Sequence, residues 1–191
     1  MKQRRPRAFL SCSLRAEDRS FVKFVAKMIR GFGFIPCRTV GMYSAAPKPL
    51  YEQMREGIKA ADCIIIAASP RYRQQDISER TKRKKGISEM IHTEAGLAIA
   101  YEKPVLVFAS EGTDVGTLLP TVTQYFIIKR GDKAAFRRQY PLIQDYFINA
   151  YLMIQKRWQA EDQKRFVEAL KTGLAIVGVG SIIKMLFGDT K

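Results

Sequence analysis

Two runs of uncharged residues, Cys63-Ile64-Ile65-Ile66-Ala67-Ala68 and Val105-Leu106-Val107-Phe108, constrain the fold of this chain most. Neither run alternates polar with apolar side chains, so neither has the pattern of a strand wetted on one face. Continuous apolar strands belong to parallel sheets covered on both sides. Parallel strands need crossover connections, and helices normally provide them. Three further strand-like runs, at residues 8–12, 34–40 and 125–129, bring the count to five.

The segments between these runs carry helical periodicity. Phe21, Phe24, Val25, Met28, Ile29 and Phe32 form an i, i+3, i+4 stripe that Gly31 and Gly33 bring to an end. Leu50, Met54, Ile58 and Ala61 are spaced by about one turn. Residues 88–101 form a third helix, and a short one fits residues 114–122, limited by Pro120. Strands alternating with helices predict a three-layer α/β domain. In such sheets ligands bind beyond the carboxyl ends of the strands. The segments that fall there are residues 11–18, 41–49, 69–86 and 110–116.

Beyond residue 131 there is no strand signal. The predicted organisation is therefore an α/β domain over residues 1–131 and a helical C-terminal extension over 132–191. Pro141 suits a first helical turn, followed by the stripe Ile143, Phe147, Tyr151, Ile154 and Trp158. A second helix is expected to begin near Glu161. Its uncharged end, residues 172–183, is shorter than the roughly 20 residues of a membrane span. It reads first as a docking or oligomerisation helix, with Gly173, Gly178 and Gly180 allowing close approach, and membrane-surface association or a true span stay open as alternatives.

The chain carries 33 Lys and Arg against 18 Asp and Glu, a formal charge of +15. The excess gathers at residues 2–7, 80–85 and 129–138. Such a surface attracts polyanions. No zinc finger, RNP-type aromatic motif or P-loop is present to read a nucleic acid or cradle a triphosphate. Contact with a polyanion or an anionic membrane is expected to be weak and non-specific. Cys12, Cys37 and Cys63 lack the spacing of a metal site and read as buried thiols in a reducing compartment. The basic N-terminus is followed by only about five apolar residues, too few for a secretory signal. A cytoplasmic location is expected.

The main chemical candidate is Glu94. At helical spacing it falls on the same side as Met90, Ile91, Leu97, Ala98 and Tyr101. An ionised group on an inward stripe is costly unless it is paired or used. Ahead of it in the chain, Ser11, Ser13 and Arg15 follow the first strand, where hydroxyls and a guanidinium can hold a polar ligand. Asp18 has the residue type and place of a helix N-cap. His92, the single histidine, lies off the Glu94 stripe and reads as solvent-facing or capping.

In order and spacing these segments resemble the Toll/interleukin receptor (TIR) family. Phe9-Leu10-Ser11-Cys12-Ser13 with Asp18 is similar to its first strand motif, and residues 41–49 fall at its long second loop. The stretch from Ile58 to Ser69-Pro70-Arg71-Tyr72 looks like its third strand and Ser-Pro-x-Tyr. Ser88-x-Met90-Ile91-x-x-Glu94 stands where the family has Ser-x-Trp-Cys-x-x-Glu. Met90-Ile91 in place of Trp-Cys, and a long basic insertion at residues 73–87, depart from that pattern. A second resemblance, to nucleoside deoxyribosyltransferases, rests on Glu94-x-Gly96-x-Ala98 and Lys103-Pro104-Val105, without the Asp-x-Gly-Thr that usually precedes them.

The TIR resemblance implies a flavodoxin-like α/β fold with a five-stranded parallel sheet flanked by helices. It also implies cleavage of the nicotinamide N-glycosidic bond of NAD, by a glycohydrolase or a cyclase, with NAD as substrate and with neither cofactor nor metal. Glu94 would be the catalytic carboxylate, and Ser11, Ser13, Arg15, Tyr43, Ser69 and Tyr72 would line the substrate site. Self-association is expected of such domains. Two alternatives stay open: a non-catalytic signalling module that assembles through residues 41–49, and a deoxyribosyltransferase-like enzyme using the same glutamate as nucleophile.

Overall fold

The computed structural model describes residues 4–37, 39, 42, 46–75 and 83–187, with side chains for all of these except 74, 75, 83 and 169–187. From the N-terminus, β1 (Arg7–Cys12) leads through a 3-10 turn into α1 (Arg19–Gly31), β2 (Ile35–Cys37), α2 (Leu50–Ala60) and β3 (Cys63–Ala68). The ribbon strands β4 (Tyr72–Gln75) and β5 (Arg83–Gly86) precede α3 (Glu89–Ala100). The chain continues through β6 (Val105–Ser110), α4 (Leu118–Val122), β7 (Tyr125–Ile128) and α5 (Lys133–Phe187).

The main sheet has five strands in the order β2-β1-β3-β6-β7, and every pairing is parallel. The parallel sheet is the one expected from the two continuous apolar runs, and its order is the flavodoxin-like arrangement that the TIR resemblance implied. All six residues of central β3 are fully buried, and on β6 the four residues Leu106, Val107, Phe108 and Ala109 are buried as well. Alternation along the strands sorts side chains by face. Phe9, Ile64, Ile66 and Val107 join Met54, Ile58, Ile91, Ala95 and Ala98 in the core on the α2–α3 side. Pro36 interrupts no ladder of consequence, because β2 lies at the sheet edge.

Residues 1–151 form one compact unit, which takes in the first part of α5, and residues 152–191 form a second. Within the first unit, Phe147 of α5 stacks on Phe32 at 4.3 Å between ring centroids and lies 5.3 Å from Phe34 and 5.8 Å from Phe108. Aromatic pairs of this kind contribute about 0.5–1.5 kcal/mol each beyond their burial. The Tyr146 hydroxyl bonds the carbonyls of Val105, at 3.0 Å, and Gln124, at 2.7 Å, tying α5 to the sheet. Burial raises the Tyr146 pKa, so this clamp keeps its proton.

Two expectations about the C-terminal region need correction. Pro141 lies inside α5 rather than in its first turn. Asp132 starts the helix earlier, its carboxylate accepting from the Ala135 amide at 2.8 Å. The packing of Phe136 on Phe24 (5.5 Å) and of Tyr140 on Phe32 (5.9 Å) holds the segment ahead of the proline. Nor does a new helix begin near Glu161, since α5 is unbroken to Phe187. The intervening Gln, Ala, Glu, Lys and Arg residues are all good helix formers, so polarity alone does not end it. Among the described residues of the basic insertion, β4 pairs antiparallel with β5 in the register Tyr72↔Gly86 and Arg73↔Lys85. Among the described residues no helix is long and apolar enough to cross a membrane.

Candidate functional site

Glu94 and Ser11 meet at the carboxyl edge of the sheet. Ser11 stands on the same face of β1 as Phe9 and is 1 % exposed. A hydroxyl so placed needs a partner, and it donates its hydrogen to Glu94 Oε2. The helix that delivers Glu94 is started by Ser88, whose Oγ accepts from the Met90 amide at 3.3 Å. Ile91, Ala95 and Ala98 then form the inward face of α3. Glu94 sits beside that face, partly buried. Met90, expected on the inward stripe, is instead 41 % exposed at the mouth of the site.

Burial pushes the Glu94 pKa from 4.5 up to about 7, against the opposing effect of the Ser11 hydrogen bond. Near neutral pH the group is divided between its acid and its carboxylate. It opens into a cleft of about 650 Å³ that Cys12, Ser13, Arg15, Ser69 and Tyr72 also line. This volume falls within the range of ordinary small-molecule sites. Burial, with the charges of Glu94 and Asp18, raises the Cys12 thiol from 9.0 to about 12. Cys12 therefore lines the cleft as a neutral thiol rather than as a nucleophile.

The other expected site residues take distinct places. Ser13 accepts from the Arg15 backbone amide and from Arg15 Nε, each at 3.3 Å. Arg15 reaches the cleft, but its guanidinium is held by Asp18 at 2.8 Å, Glu17 at 3.2 Å and the Pro70 carbonyl at 2.5 Å. Asp18 makes no side-chain cap to α1, because its carboxylate is used by Arg15. Ser69 is 4 % exposed, and its Oγ has no hydrogen-bond partner among the described residues. Tyr72 is well exposed on the cleft wall, with the Arg71 guanidinium 6.0 Å from its ring centroid. Tyr43 lies outside the described residues, as do residues 41, 44 and 45 of the loop at 41–49.

His92 is neither free in solvent nor a cap. Its Nδ1 is buried without a partner among the described residues, and its ring packs where a Cβ on Gly116 would come within 3.1 Å. The positive φ of 72° at Gly116 gives a second reason for glycine there. Lys103, of the Lys-Pro-Val stretch, donates to the Ala61 and Lys59 carbonyls and so closes the end of α2. Among the described residues no group of three His, Cys, Asp or Glu side chains is placed to hold a metal.

A second cleft, of about 800 Å³, adjoins the first. Arg15, Ser69, Arg71 and Tyr72 line both, and Arg73, Lys85 and Arg130 line the second alone. Sequence reading missed this group. Lys85 and Arg130 belong to the charged stretches at 80–85 and 129–138 and Arg73 to the start of the basic insertion, all of which look like solvated surface until the ribbon and the end of β7 bring them together.

No protein-family profile and no curated protein matches the chain. Among solved structures, a CMP N-glycosidase of Clostridium botulinum is similar at 17 % identity and a TM-score of 0.44, over 72 % of this chain and 98 % of that one. A metal-soaked flavodiiron core from Synechocystis is similar at 12 % identity and a TM-score of 0.43, over 79 % of this chain and 36 % of that one.

Proposed function

We propose that this protein cleaves the N-glycosidic bond of a nucleotide, with Glu94 as the catalytic carboxylate and NAD as the substrate. The observation that carries this reading is the Glu94 carboxyl itself. It is partly buried, anchored by Ser11 and open to a cleft at the strand ends, and its pKa lies near neutrality. Groups tuned this way in a cleft are characteristic of functional sites.

In the proposed reaction the bond between ribose C1 and the pyridinium nitrogen breaks, and its electron pair leaves with nicotinamide. Nicotinamide departs as a neutral molecule from a cationic ring, so no proton donor is required. The positive charge left at C1 is met by the ionised form of Glu94, either as an ion pair or as an ester through Oε. Water then supplies the hydroxyl to C1 and loses its second proton, leaving ADP-ribose. Ser11 is a positioning residue: it holds one carboxylate oxygen and leaves the other for the sugar. Tyr72 offers an exposed ring to the base, and Ser69 a hydroxyl that has no partner among the described residues to the ribose or its substituents. The order of motifs shared with TIR domains supports the same glutamate.

The test is chromatography of the protein incubated with NAD. The expected result is nicotinamide and ADP-ribose in equal amounts. Recovery of all the NAD by a folded protein would contradict the proposal for NAD. A panel of pyrimidine and purine nucleoside monophosphates in the same assay identifies any other base that is released.

A further inference from the structure

We infer that the cleft beside the Glu94 pocket is an anion subsite, which takes the diphosphate of the nucleotide whose glycosidic bond lies at Glu94. This rests on the nucleotide reading above and adds to it a recognition element: Arg71 and Arg73 at the start of the ribbon, Lys85 on its return strand, and Arg130 after β7.

The charges decide the sign of the ligand. Five cationic side chains line this cleft together with the acidic Glu17, Asp18 and Glu111. Arg15 is committed to Asp18 and Glu17. Glu111 pairs with Lys129 at 3.2 Å. Among the described residues no carboxylate pairs with Arg71, Arg73, Lys85 or Arg130, and Arg130 donates only to the Ser20 hydroxyl. These four cations, which no described carboxylate pairs, converge on one concavity and repel one another, and an anion with more than one charge relieves that repulsion. Ser69 adds an independent observation. It is almost fully buried, its Oγ is unpartnered among the described residues, and it lines both clefts.

Shape decides between a nucleotide and a longer polyanion. The cations line a pocket that shares a wall with the Glu94 cleft through Ser69, Arg71 and Tyr72, rather than a stripe along the surface. A ligand with its ribose C1 at Glu94 and its phosphates beyond Arg71 would use both clefts. The ribbon then has a purpose that its sequence did not suggest. The Arg73↔Lys85 pairing sets two like charges side by side, an unfavourable arrangement unless something lies against them.

The proposal is tested by calorimetry with inorganic pyrophosphate on the full chain, as wild type, as Glu94→Gln and as the double variant Arg73→Ala/Lys85→Ala. Both altered ribbon residues are exposed, so the fold should survive, and circular dichroism checks this. Pyrophosphate should bind wild type and Glu94→Gln alike, and at least about tenfold more weakly to the double variant. In turnover, the double variant should raise KM for NAD by a similar factor and leave nicotinamide release from nicotinamide riboside unchanged. No pyrophosphate binding, or binding that the double variant leaves intact, overturns the subsite. Displacement of pyrophosphate by a short RNA that binds more tightly, with the same dependence on Arg73 and Lys85, overturns the small-ligand assignment. If pyrophosphate binding depends on these residues but no base is ever released, the subsite stands and the glycosidase reading fails.

Discussion

Replacing Glu94 by Gln should make the protein more stable, and only above a certain pH. In the folded chain the carboxyl pKa is near 7, against 4.5 for an unhindered glutamate, because burial disfavours its charge. A carboxyl with a raised folded pKa binds its proton more tightly in the native state. Its favourable contribution is complete below about pH 4.5 and is lost as pH rises to about 7. Above that the folded protein holds a charge that the unfolded chain would hydrate at less cost. A shift of this size corresponds to about 3 kcal/mol when fully developed, and to about 1 kcal/mol near pH 5. Gln keeps the shape and can still accept from Ser11, but it never ionises. In urea titrations the variant should therefore gain about 2 kcal/mol on wild type between about pH 5 and pH 8. A stability difference that is the same at both pH values would refute the argument that Glu94 is desolvated.

Other expectations follow from the packing and the ion pairs. Phe147→Ala removes a ring that is 1 % exposed and touches three others, so it should cost about 3–5 kcal/mol in chemical denaturation. Arg15→Leu strands the buried Asp18 carboxylate and should cost about 3 kcal/mol, whereas Arg15→Leu/Asp18→Asn should recover much of that loss. Cys12, its thiol pushed up to about 12, should react with iodoacetamide at mildly alkaline pH far more slowly in the native protein than in urea. Mass spectrometry of the labelled peptide reads that difference directly.

The fold was legible where burial and period agree. The unbroken apolar runs of β3 and β6 have the pattern of central parallel strands, and the stripe from Phe21 to Phe32 that of a helix lying on them. Ser11 and Glu94 were each legible as candidates, since both are polar residues on otherwise apolar elements, but the bond between them was not. What sequence could not supply was the partner of each charge. Asp18 looks like a cap until the fold brings Arg15 across it, and His92 looks solvent-facing until the turn at Gly116 covers it. The ribbon was hidden for a related reason. Its strands carry Arg, Gln and Lys with no apolar alternation, and only their position between β3 and α3 pairs them. Pro141 misled because a proline is a strong local signal, while the aromatic contacts that carry α5 past it come from α1, far away in the chain.

One carboxylate is proposed to break the bond, and the rate of base release by Glu94→Gln decides whether it does. Wild type and variant would be compared at equal concentration with NAD, with circular dichroism to verify that both are folded. The wild type should release nicotinamide, and the variant should do so at least about a hundredfold more slowly, the scale expected when a group that stabilises developing charge is neutralised. Release by the variant at a rate within about threefold of wild type would mean that the bond breaks without Glu94, and the account would be wrong at its centre.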